Sequence, residues 1–189
     1  KNEPNNALYL FFRGAIINDE AVKIMEAANQ YTDSASDARA KSKRTSSPAK
    51  KKALQANIDK FLGLRDSGFA NARAMFSKAE KDYNEALLID PYYFDALFNM
   101  GVMYFNMNKE LIYKYNYLDV FNAKDKKRAE VLEPKMKAMI EKALEYLLKA
   151  EEVKPNDPEL LYALQQSFSQ LGDNEKSKEY KERRDALNK

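Results

Sequence analysis

Two stretches decide the reading of this chain: AEKDYNEALLIDP, Ala79–Pro91, and MIEKALEYLLKAEEVKP, Met139–Pro155. Both follow one pattern: Ala, three residues, a large residue, two residues, Ala, four residues, Pro. The first copy reads Ala79, Tyr83, Ala86, Pro91 and the second Ala143, Leu147, Ala150, Pro155. A repeated pattern at fixed spacing points to a repeat architecture. The text beyond each Pro also repeats. Six residues after Pro91 comes Leu97, then Met100-Gly101, then Tyr104. Six residues after Pro155 comes Leu161, then Leu164-Gln165, then Phe168, with Gln165 in place of the Gly. Leu171-Gly172-Asp173 then gives a helix C-terminal turn signal.

These residues and spacings resemble the tetratricopeptide repeat (TPR), a pair of antiparallel helices of about 34 residues. In such a pair, Gly101 and the alanines let two helix backbones approach. The large residues fill the gaps, and the Pro ends the second helix. The resemblance implies an all-α, right-handed solenoid of about three antiparallel helix pairs within a single domain, 1–189. Repeat 1 covers about 5–91, repeat 2 about 92–155, and repeat 3 with a capping helix 156–189. The copies are too far apart for a standard repeat, so repeat 2 carries an insertion at about 106–135. Repeat 1 carries another, holding a polar, basic loop at 35–52.

Helix positions follow from apolar spacing. Ala7–Gln30 reads as a helix with Leu10, Gly14 and Ile17 on its first-helix positions. Phe69, Phe76 and Tyr83, interleaved with Ala72, Ala79 and Ala86, predict a helix from about 68 to 89, after a break at Asp66-Ser67-Gly68. Asn57–Leu64 reads as a short separate helix. Pro134 suits a first helical position, so the next long helix is expected over 134–153. The tyrosine-rich stretch Tyr113–Phe121 is open to two readings, an irregular arm or a short helix. The last helix, Asp173–Leu187, is mostly charged, with Tyr180 and Leu187 as its few large apolar residues. A polar final helix suits a solenoid cap.

Composition narrows function. The chain has 189 residues, 44% hydrophobic and 32% charged, with no Cys and no His. That excludes disulfides, thiolate metal sites, a cysteine nucleophile and any histidine-based triad. No cofactor or metal site is expected. Glu141, Glu145, Glu151, Glu152, Glu179, Glu182 and Asp185 read as surface ion-pair partners of neighbouring lysines rather than as catalytic acids. The net charge of +3 is too small to imply nucleic acid by itself. Arg39, Lys41, Lys43, Arg44, Lys50, Lys51 and Lys52 gather without an acid between them. No aromatic residue is interleaved for base stacking, so the composition favours a solvated loop over a nucleic-acid or anionic-surface patch. The densest apolar run, Ala7–Ile17, is short and interrupted by Arg13, so a core helix is expected rather than a membrane span.

The resemblance also implies a site. First helices of the family line a concave face that binds a peptide. Its spacing falls on Asp95, Phe98, Val102 and Phe105, then on Glu159, Tyr162, Gln166 and Ser169, and by looser alignment on Phe11, Ala15 and Asn18. The groove set is Phe98, Val102, Phe105, Tyr162, Gln166 and Phe11; the alternative reading buries these aromatics under the long insertions as core. Of the Lys, Asn and Arg groups of the family's carboxylate clamp only Asn99 is present, so an apolar or extended peptide fits better. The expected function is non-enzymatic binding of a protein or peptide partner. The alternatives are anionic-surface or nucleic-acid binding through 39–52 and a self-associating component of the cell envelope. Lys1 precedes the first Met, Met25, so the natural start is expected to lie upstream. Abundant Lys (24), Asn (16) and Tyr (12) point to an AT-rich bacterial genome, with a lean towards export.

Overall fold

A computed structural model describes residues 6–119 and 121–187. The fold is all-α, with six helices and no strand among the described residues. The helices are α1 (Ala7–Arg44), α2 (Pro48–Ile89), α3 (Phe94–Asn116), α4 (Ala123–Val153), α5 (Pro158–Gln170) and α6 (Asn174–Ala186). No helix is long and apolar enough to cross a membrane.

The first two helices correct the expected layout. No loop occupies 35–52. α1 runs on to Arg44, three residues turn the chain, and Pro48 at the head of α2 follows a Ser47 cap. The physical reason is a seam of small side chains. Along α1 the buried positions are Leu10, Gly14, Asn18, Ala21, Met25, Ala28, Thr32, Ala35 and Ala38, spaced by three or four. That spacing keeps one stripe facing one partner helix. Beyond Gln30 the stripe is Thr32, Ala35 and Ala38, which carry little apolar weight yet fit a close helix contact.

α2 is likewise continuous. The expected short helix at 57–64 and the break at Asp66-Ser67-Gly68 are both absorbed into it. Gly68 packs tightly on α1: a Cβ there would lie 2.5 Å from the Ala28 Cβ. Contact order along the two helices is reversed. Arg13 meets Asp82, Ala28 meets Gly68, and Tyr31 stacks on Phe61 at 6.5 Å. Phe69, Phe76 and Tyr83 are fully buried in this seam. Burial of such side chains contributes roughly 1.5–3 kcal/mol each.

The expected insertion at 106–135 is mostly helix. α3 extends to Asn116, so Tyr113 and Tyr115 lie within it and Tyr117 follows its last residue. α4 starts eleven residues before Pro134, which sits inside the helix rather than at its head. The earlier start has a strong cap: the Asn122 side chain accepts from the amides of Lys124 and Asp125. Pro134 and Glu130, whose carbonyl it leaves free, are both exposed, so water can meet that carbonyl. Gly101 marks the closest α3–α4 approach, where a Cβ would lie 2.5 Å from Leu147 Cγ and 3.2 Å from the Ala143 oxygen.

The last part follows the expectation closely. α2 ends at Ile89 ahead of Pro91, and α4 ends at Val153 ahead of Pro155. Gly172 takes a positive φ of 78°, the conformation that a glycine C-terminal turn needs. α6 is a charged helix in which Tyr180 is the buried residue, stacked on Phe168 at 5.4 Å. One core cluster joins α1–α4 and a second joins α3–α6, with Leu87, Phe105 and Tyr146 bordering both.

Candidate binding groove

Residues of α3 and α5 line one groove. Phe98, Val102 and Phe105 come from α3, at helical spacing of four and three. Tyr162 and Gln166, four apart, come from α5. These five residues line a single open cavity of about 600 Å³. Glu159 lines it too, at the N-terminal end of α5. That end is fixed by Asp157, whose carboxylate accepts from the amides of Glu159 and Leu160, and by Pro158 in the first turn.

The groove wall is firm on one side and open on the other. Phe98 is half-buried and stacks on Phe94, with ring centroids 6.0 Å apart and planes 4° from parallel. Lys154 Nζ sits 4.0 Å from the centre of the Phe94 ring. Phe105 reaches both core clusters, which fixes its ring. Tyr162 is the groove's presented aromatic, 52% exposed. The Arg184 guanidinium lies 5.2 Å from its ring centre, close enough for a cation–π contact. The charged groups of the lining are Glu159 and Arg184, one of each sign.

Phe11 does not join this groove. It is half-buried beside Phe12, Tyr93 and Tyr83, at 5.3, 5.4 and 6.1 Å between ring centroids. It closes the top of the α1–α2 seam against the turn that leads into α3. Asn18 is buried in that seam, and Ala15 is half-buried. Asp95 and Ser169 lie outside the groove lining, and Asn99 donates back to the Asp95 carbonyl of its own helix at 2.8 Å.

Arg184 is a groove-lining position that the repeat spacing misses. It belongs to α6, whereas the spacing assigns groove positions to first helices alone. Gln170 and Ala163 also line the wall. Both follow from continuing the α5 face by three or four residues.

The basic residues 39–52 cluster at the α1–α2 turn instead of on a loop. Two of them are engaged in the fold. Arg39 donates to the Tyr117 carbonyl at 2.9 Å, and Lys43 pairs with Asp119 at 3.0 Å. The Lys43 contact, with the Phe121 amide, holds the Asp119 carboxyl below its ordinary range.

No protein-family model matches the chain, and no curated protein matches it.

Proposed function

We propose that the chain is a non-enzymatic interaction module that holds an extended segment of a partner protein in the α3–α5 groove. In this reading the six helices form three antiparallel pairs, stacked as a TPR-like right-handed solenoid with long first and second pairs. α3 and α5 are then the first helices of neighbouring pairs, and the groove is part of the concave face.

One observation carries the reading. Six of the eight α3 and α5 positions that the repeat spacing selects line one cavity, and four of the six, Phe98, Val102, Phe105 and Tyr162, are apolar or aromatic. Aromatic anchors in a preformed apolar groove are the usual source of peptide affinity. The stacked Phe94–Phe98 pair and the core contacts of Phe105 order the wall before a partner arrives, which lowers the entropic cost of binding. Glu159 and Arg184 offer opposite charges on the lining, so a partner with charges at matching spacing would be held in one direction.

The test is a random-peptide display selection on the immobilised full chain, followed by fluorescence anisotropy with the selected peptides. Tyr162→Ala removes an exposed ring and should leave the fold intact. Selected peptides are expected to be apolar or aromatic in part and to lose at least tenfold in affinity with Tyr162→Ala. Peptides whose affinity is unchanged by Tyr162→Ala and by Val102→Glu would overturn the groove as the site.

A further inference from the structure

A second cavity, of about 560 Å³, opens where the middle of α2 meets the end of α3 and the start of α4. It shares no lining residue with the groove, and its chemistry is different. Five cations line it: Arg65, Lys114, Lys124, Lys127 and Arg128, against Asp66 as the lining carboxylate. Two of these cations are paired at short range. Arg65 donates to Asp66 at 2.8 Å and Lys114 to Glu110 at 2.6 Å. Arg128 reaches Asp125 only at 3.3 Å. Lys124 and Lys127 have no carboxylate within ion-pair distance among the described residues. The remaining wall is apolar, from Leu62, Leu118, Val131 and Leu132.

Tyr117 adds a fixed aromatic ring to the wall. Tyr117 lines the same cavity and is 8% exposed, yet its hydroxyl is buried with no hydrogen-bond partner among the described residues. The ring is held in place: Arg39 and Arg65 have their guanidinium carbons 3.9 and 5.7 Å from its centre.

We propose that this cavity binds a small amphipathic anion, with a carboxylate or phosphate head and an apolar body. Lys124, Lys127 and Arg128 hold the head. The apolar body lies along Leu62, Leu118 and Leu132, against the Tyr117 ring. The volume suits one such molecule, since ordinary ligand sites span about 300–1,000 Å³. The inference stands apart from the peptide-binding reading of the groove.

The test is isothermal titration of the full chain with octyl phosphate below its micelle-forming concentration, beside octanol and inorganic phosphate. Octyl phosphate is expected to bind saturably at one per chain, at least tenfold more tightly than either half-probe. Lys124→Gln/Lys127→Gln, at exposed positions, should weaken it at least tenfold. Lys50→Gln/Lys51→Gln, at the exposed start of α2, should leave it unchanged. Co-sedimentation with anionic phospholipid vesicles separates the sources. Binding to vesicles as well as to octyl phosphate assigns a membrane lipid, and binding to octyl phosphate alone assigns a free molecule. Either supports the site. Absence of saturable binding, equal binding of a half-probe, or full affinity in the double lysine variant would overturn it.

Discussion

Two buried tyrosines show how differently one side chain is used. Tyr104 is 3% exposed, and its hydroxyl donates to the Glu80 carboxylate at 2.5 Å. Tyr83 is fully buried, and its hydroxyl has no partner among the described residues. Burial raises the pKa of both, Tyr104 further through its bond to Glu80. The same substitution should therefore act in opposite directions. Tyr104→Phe loses a charge-assisted hydrogen bond and should cost about 1.5–3 kcal/mol. Tyr83→Phe removes an unmet hydroxyl while keeping the ring, and should stabilise by roughly 1 kcal/mol. Urea unfolding followed by circular dichroism reads both, and equal signs would contradict this account. Arg13 gives a related lesson. In the sequence it interrupts an apolar run. In the fold it leaves that run to reach the buried carboxylate of Asp82, donating from Nε at 2.7 Å.

The helices differ in how far their extent was legible. Where the stripe is built of Phe, Tyr, Leu and Met, as in 68–89 or α5, apolar spacing locates the element well. Where it is built of Ala, Thr and Gly, as in α1 beyond Gln30, polar neighbours dominate and the segment imitates a loop. Asp66-Ser67-Gly68 and Pro134 are stop signals locally, but helix contacts on either side override them. Phe98, Val102, Phe105, Tyr162 and Gln166 could be grouped in the sequence by their spacing, and they line one cavity. Phe11 does not join them, because the first pair is lengthened and its aromatic turns towards Tyr83 and Tyr93. Two glycines of α2 test the role of close contact directly. Around Gly63 there is open space, whereas a Cβ at Gly68 meets Ala28. Gly63→Ala should stabilise by about 0.5–1 kcal/mol through helix propensity. Gly68→Ala gains the same propensity but must separate two backbones, and should cost about 1–3 kcal/mol net. Chemical denaturation of the two variants compares them at equal composition, and matching midpoints would remove the packing argument.

For the whole molecule, the buried tyrosines are expected to contribute to loss of stability at alkaline pH. Burial, joined by the bond to Glu151, pushes the Tyr180 phenol up to about 12, and Tyr93, Tyr113 and Tyr146 are also raised by burial. An unfolded tyrosine titrates near 10 (roughly). The folded state thus keeps protons that the unfolded state has lost, so stability falls as pH rises. The contribution is complete below about pH 10 and disappears as pH passes through the raised folded values. Urea midpoints should hold between pH 8 and 9.5 and then decline towards pH 12, less steeply in Tyr180→Phe once its own lower starting stability is subtracted. The α1–α2 seam has a mechanical side as well. Gly14 on α1 admits the ring of Tyr83 from α2, while Gly68 on α2 admits Ala28 from α1. Fourteen residues separate Gly14 and Ala28, about 21 Å along the axis. Two interlocks facing opposite ways act as dowels: for one helix to slide past the other by a turn, both would have to disengage together. Shear, a common route by which helical proteins change shape, is therefore opposed twice along this pair.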